Sequence, residues 1–256
     1  MCFSANASFL SAAGLFALGL VTWRRVRRPA ERPLALIPTL FGLQQLVEGG
    51  VWLTLTHDAP ALNGCLTTAY SAFSQVLWPV LVPLAVLLLE ATPWRRTVLA
   101  AFVAAGVATA LFLGIAMLRQ PVVSELQGGH IVYLFPHARV LVATTLYLLG
   151  ACAAPMFSSH RSLRLFGFAA GLSVVGVYAV YSTWFISVWC FFAAALSGIL
   201  LLHFPPRGTS LHLVLRPAVA RDYIQQQIQN LQSHHTPTEA GVAPMGASSS
   251  VHKESP

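Results

Sequence analysis

Residues 41–52 read Phe41-Gly42-Leu43-Gln44-Gln45-Leu46-Val47-Glu48-Gly49-Gly50-Val51-Trp52, inside an apolar run over 34–56 whose one charged residue is Glu48. A membrane-crossing helix needs roughly 20 predominantly apolar residues, because the hydrocarbon core is about 30 Å thick and each residue rises about 1.5 Å. The run is long enough. Its neighbours repeat the pattern, so the fold is decided here: the chain is built for lipid.

Composition says the same of all 256 residues. They are 56% hydrophobic and 9% charged, where soluble domains carry ~25% charge. Fifteen Lys and Arg with eight Asp and Glu are too few to cover the surface of a water-soluble fold of this size. Collagen-like, disordered and disulfide-scaffold classes are excluded by the apolar content and by only four cysteines.

Seven segments qualify as spans: 3–23, 34–56, 66–89, 97–118, 138–157, 165–182 and 184–203. The last two are joined so tightly, at Ser182 and Thr183, that they read as a hairpin. Backbone groups in lipid must be satisfied internally, which demands helices or a closed barrel. Runs such as 80–89 and 100–113 do not alternate as barrel strands do. The expected fold is an all-α polytopic bundle of seven transmembrane helices.

Net charge is +7, with 14 arginines and a lone lysine, Lys253. The arginines bracket the spans, which explains them better than nucleic acid does. Arg24, Arg25, Arg27, Arg28 and Arg32 follow span 1, Arg95 and Arg96 follow span 3, Arg161 and Arg164 follow span 5, and Arg207 follows span 7. Short cytoplasmic loops carry the basic excess, so the N-terminus is expected outside and the C-terminus in the cytoplasm. A secretory signal places its charge before the apolar stretch, whereas here it follows; span 1 is expected to stay. The membrane domain covers 1–206. Residues 207–233 form a cytoplasmic segment with a short amphipathic helix over 218–232, where Ala220, Tyr223, Ile224, Ile228 and Leu231 recur at helical spacing. Residues 234–256 have the composition of a disordered tail.

An ionisable group inside a span costs ~2.5–3.5 kcal/mol on insertion scales and marks a functional position by default. Gln44, Glu48 and Trp52 lie four apart on one stripe, with Gln45 beside it. In span 3, Ser71, Ser74, Gln75 and Trp78 share a face. Antiparallel neighbours bring the two stripes to one depth, which predicts a cluster of Gln44, Gln45, Glu48, Ser74 and Gln75 in the outer half of the bundle. Trp52, Trp78, Tyr178 and Tyr181 are the expected aromatic walls. Against this stands the plainer reading, in which such side chains serve as interhelical glue or interfacial belt.

No metal signature is present. Cys2 and Cys65 fall on the same side and can pair as a disulfide, Cys152 and Cys190 are small apolar residues within spans, and His57, His130, His137, His160 and His203 are irregularly spaced. Removal of Met1 would leave Cys2 as an N-terminal thiol beside its own amine, a potential nucleophile or ligand. GxSxG, HExxH and Gly-rich phosphate loops are missing. A weak echo relates spans 1–2 to spans 5–6, the layout of a transporter with parallel repeats.

The opening Met1-Cys2-Phe3-Ser4-Ala5, the stretch Ala35-Leu36-Ile37-Pro38 and the block from Phe41 to Gly49 with Trp52 resemble a family of uncharacterised bacterial multi-pass membrane proteins that begin MCFSA and carry a QQxxEGxxW helix. The likeness covers the seven spans and leaves out the tail. It implies a bacterial inner-membrane location and no mechanism.

The residues therefore point to a protein in the lipid bilayer that takes a small polar or cationic ligand, or a proton, in an outward-facing pocket around Glu48, as sensor or transporter. An enzyme using Cys2 or Glu48 on a lipid-linked substrate, and a structural subunit docked through the 218–232 helix, are the alternatives.

Overall fold

The structure is a computed structural model that describes residues 4–135 and 145–206, with backbone alone at 181 and 182. Cys2 and residues 207–256, where a cytoplasmic amphipathic helix and a tail are expected, lie outside the described residues. The described part is mostly helical. Seven helices are α1 (Ala5–Arg25), α2 (Pro29–Thr56, opening with one 3-10 turn), α3 (Pro60–Leu89), α4 (Pro93–Arg119), α5 (Thr145–Met156), α6 (Arg161–Tyr181) and α7 (Phe185–His203, closing in a 3-10 turn). Six of them, all but α5, are long and apolar enough to cross a membrane. The expected fifth span, 138–157, begins outside the described residues and appears only as the 12-residue α5. The link from α6 to α7 is the tight turn expected, a 3-10 turn at Ser182–Trp184.

Helix α2 is central. Buried positions make up 61% of its apolar window, against 28–44% in the other spans. Small residues let α1 lie close on it: a Cβ on Gly19 would collide with the Thr39 side chain, and one on Gly49 would reach the Phe9 ring at 2.6 Å. Thr22 strengthens the same seam by donating to Gly19 O and Ala35 O, each at 2.9 Å. Small-residue contact replaces the hydrophobic drive that lipid does not supply between helices.

Two prolines shape α3. Pro79 and Pro83 have no N–H to give the preceding turns, and the helix widens into a π segment over Ala72–Leu77. Gly106 of α4 and Gly150 of α5 then close on the Pro79 carbonyl, where a Cβ at Gly106 would overlap the oxygen.

The all-α expectation misses one element. Strands β1 (Val123–Gln127) and β2 (His130–Leu134) pair antiparallel, Val123 opposite Leu134 and Gln127 opposite His130. The turn is Gly128-Gly129 with φ of 59° and 79°, the left-handed pair a two-residue hairpin demands. This hairpin packs on the end of the bundle opposite the arginine clusters, with Arg119 at the end of α4 on its own side. Ser124 Oγ meets Thr67 Oγ1 at 2.8 Å and Asn63 Oδ1 at 3.1 Å, the Tyr133 ring stacks on Tyr70 with centroids 4.4 Å apart, and Trp184 Nε1 donates to Gln127 O at 3.1 Å.

The arginine end is tied by polar contacts instead. Arg25 Nη1 donates to Phe204 O (3.1 Å), Arg95 Nη1 to Phe157 O (2.9 Å) and Arg96 Nη1 to Glu90 O (2.9 Å), while Arg28 Nε meets Glu31 Oε1 at 3.0 Å. The Glu90 carboxylate is buried and accepts from the Ser159 N–H (2.7 Å) and the Thr92 N–H (3.1 Å).

Candidate functional site

The polar stripe of α2 faces protein along its whole length. Gln44, Gln45 and Glu48 each have no exposed surface. Trp78 Nε1 donates to Gln44 Oε1 at 2.7 Å, and this bond sets the register between α2 and α3. Nearer the hairpin end the two helices meet through Asn63 Nδ2, which donates to Thr54 Oγ1 at 3.1 Å, and at Gly50, where a Cβ would reach the Leu66 side chain.

Glu48 accepts from two helices. Gln45 Nε2, one turn earlier on α2, donates to Oε2 at 3.2 Å, and Ser187 Oγ on α7 donates to Oε1 at 2.6 Å. The short Ser187 contact is in the range of a charge-assisted O–H bond. The Cys190 thiol, one turn further on α7, lies against Gln44 and Tyr70.

Beside this cluster is a cavity of about 800 Å³ between α3, α4, α5, α6, α7 and β2. Ser187 belongs to both: its hydroxyl holds Glu48 and its side chain lines the cavity. The other walls are mainly aromatic and aliphatic, with Tyr133, Tyr147, Tyr178, Trp184, Phe185 and Trp189 set around Ser74, Gln75 and Thr183. That size and lining are those of a small-molecule pocket, apolar with a few placed polar groups.

Of the residues expected at the site, Gln44, Gln45 and Glu48 converge with Trp78 and Ser187. Ser74 and Gln75 line the cavity, and the Ser74 hydroxyl donates to Ser71 O at 3.3 Å, so it meets its own helix instead of the carboxylate. Trp52 packs with Val51 and Tyr70, and Trp78 stacks on Phe41 with centroids 3.9 Å apart. Tyr178 stands at the cavity with 66% of its surface exposed. The Tyr181 side chain and Cys2 lie outside the described residues. Cys65 is exposed and free, and among the described residues no three His, Cys, Asp or Glu side chains gather to hold a metal. The start of span 7, with Trp184, Ser187 and Trp189, is legible in the sequence as polar and aromatic groups at the depth of Glu48, and all three line the cavity; the sequence did not show Ser187 as the partner of Glu48, or Tyr147 as a wall. The three-residue spacing of Trp184, Ser187 and Cys190 is the signal that puts that strip of α7 on one face.

These features are set within a recognisable lineage. The chain belongs to a family of unknown function, DUF6629, whose model matches residues 1–212. The DUF6629 match takes in every described element, from α1 to α7, together with the Glu48 cluster. No curated protein and no solved structure matches the chain.

Proposed function

We propose that this integral membrane protein binds a small polar or cationic molecule in the cavity beside Glu48, as a sensor or transporter. Ser187 carries the reading, because the side chain that lines the cavity is the one hydrogen-bonded to the buried carboxylate. A cation seated among Trp184, Trp189 and Tyr147 is attracted by their ring faces, and the Glu48 charge reaches it through the Ser187 dipole. Gln45 and Gln44 hold the carboxylate and the neighbouring indole in place. In this reading the hairpin end faces outward, the arginine end faces the cytoplasm by the positive-inside rule, and the membrane is the bacterial inner membrane.

The test uses tetraphenylphosphonium, a lipophilic cation, and its neutral relative triphenylphosphine oxide, titrated against the tryptophan fluorescence of the purified chain. Wild type is expected to favour the cation by about tenfold, since attraction of a desolvated cation to the Glu48 carboxylate several ångströms away is on the order of 1–2 kcal/mol. Glu48→Gln, verified as folded by its circular dichroism, is expected to lose that preference. Equal cation affinity in Glu48→Gln and wild type would overturn the reading.

A further inference from the structure

The cavity beside Glu48 is open on one side. Its inner walls are buried, with Ile131, Tyr147, Ser187 and Trp189 each at most 7% exposed. Val175 and Tyr178 of α6 are also walls, and each has 66% of its surface exposed. A residue that both lines a cavity and stands exposed marks its mouth.

The rest of α6 shows what that mouth faces. The helix Arg161–Tyr181 has 21 residues and is about 31 Å long, a match to the ~30 Å hydrocarbon core. Leu165, Phe168, Leu172, Val175 and Ala179 are all exposed. Their steps of three and four residues put them on one face, and a continuous apolar stripe on a membrane-crossing helix faces lipid. The opposite face, with Leu163, Phe166, Ala170 and Val177, is buried in the core. Val175 and Ala179 belong to the lipid stripe and to the cavity wall at once. They precede Tyr181 by six and two residues, about 9 and 3 Å along the helix, which sets them in the half of the bilayer on the hairpin side.

The mouth continues past Ala179 to Thr183, an exposed cavity wall in the turn between α6 and α7. It is therefore a slot that begins among apolar side chains at hydrocarbon depth and ends on a hydroxyl at the helix end. Over the hairpin end lie Ile131 and Tyr133 of β2, and the strand pair is fastened to the turn by the Trp184–Gln127 bond and by the His130 ring, 4.7 Å from that of Trp184. Inside, the rings of Tyr147, Phe185 and Trp189 suit an apolar body, and Ser74, Gln75 and Ser187 suit a polar group.

We propose that the cavity opens sideways along α6 into the hairpin-side leaflet and takes up an amphiphile dissolved there, with an apolar chain and a small polar or cationic head. This rests on the cavity being a binding site, and it names the class of molecule that reaches it. The chain passes between the lipid and the cavity at Val175 and Ala179 without crossing water.

The test uses the full chain in nanodiscs containing phosphatidylcholine with a diazirine partway along one acyl chain, irradiated and mapped for adducts by mass spectrometry. Tyr147 and Trp189, buried walls of the cavity, are expected to carry adducts. Leu99 and Leu163, equally buried but away from the cavity, are expected to carry roughly tenfold fewer, since a close-packed interior admits no chain. Adducts confined to lipid-facing residues such as Phe168 and Leu172 overturn the proposal, and this comparison needs no variant to fold. Ala179→Trp sets a large ring in the mouth at an exposed position. It is expected to lower labelling of Tyr147 and Trp189 about tenfold, equal to ~1.4 kcal/mol of lost occupancy, with Phe168 labelled as before. Unchanged labelling of both walls in Ala179→Trp also overturns the proposal, since the chain would then arrive by another route. Neither readout involves Glu48, so lateral entry and the cation preference fail separately.

Discussion

Ser187 and Glu48, 139 positions apart in sequence, meet across 2.6 Å and tie α7 to the central helix α2. The bond joins the hairpin of α6 and α7 to the α1–α2 pair at a fully buried point. It is a structural tie and the link between carboxylate and cavity at once.

Ser187→Ala removes a donor from a buried carboxylate oxygen, and leaving such a group unmet costs about 1–3 kcal/mol. The apparent Tm in detergent is expected to fall, while Ser187→Thr, which keeps the hydroxyl, stays closer to wild type. A Tm for Ser187→Ala at or above that of Ser187→Thr would contradict the bond.

The Trp78–Gln44 pair predicts non-additivity. Trp78→Phe keeps a ring against Phe41 and strips the donor from Gln44 Oε1, and Gln44→Leu strands the indole N–H; each is expected to cost about 1–3 kcal/mol. Replacing both partners by apolar groups leaves no stranded atom, so the double variant is expected to be more stable than the sum of the singles by at least ~1 kcal/mol. Thermal unfolding of the four proteins measures this cycle, and strict additivity would show the bond to be absent.

What was legible in the sequence follows from which forces act locally. The length of apolar runs gave the spans, since bilayer thickness imposes it on each segment separately, and the four-residue spacing of Gln44, Glu48 and Trp52 gave their shared stripe. Ser187 was not legible as their partner, because a serine at the start of an apolar helix looks alike whether it meets a carboxylate or its own backbone. The hairpin is marked in the sequence by Gly128-Gly129 between short apolar stretches, a signal much weaker than the long apolar runs on either side of it. The widening of α3 arises from Pro79 acting on a turn already crowded by α4 and α5, a tertiary matter.

Gly106 gives a third test. A Cβ there overlaps the Pro79 carbonyl, a backbone atom that cannot rotate away, whereas Gly14 has open space around its Cβ position. Gly106→Ala is expected to destabilise by about 1–3 kcal/mol through overpacking. Gly14→Ala is expected to show no loss, since alanine favours the helix by roughly 0.5–1 kcal/mol over glycine. The difference in Tm between the two substitutions checks the α3–α4 contact, and equal values would place the helices further apart.

At the arginine end the Glu90 carboxylate supplies a prediction in pH. Burial alone would raise its pKa, and the Ser159 and Thr92 N–H groups more than reverse this, holding it at about 2 against an ordinary 4.5. A carboxylate with a lowered folded pKa adds stability that is complete above 4.5 and is lost as pH falls from there towards 2. Across that window the contribution is about 3 kcal/mol by linkage. His160, nearby, is displaced downward by burial against the pull of Glu90, so its own loss of stability begins earlier, as pH falls below 6.5. Wild type is therefore expected to lose Tm in two stages between pH 7 and pH 2.5. Glu90→Gln should be less stable than wild type at pH 7, keep the first stage, which His160 and His203 share and which the loss of the Glu90 charge deepens, and show a smaller second stage, of which Glu31 keeps its part. Parallel Tm profiles for the two proteins below pH 4.5 would show that the carboxylate does not hold the loop at Ser159.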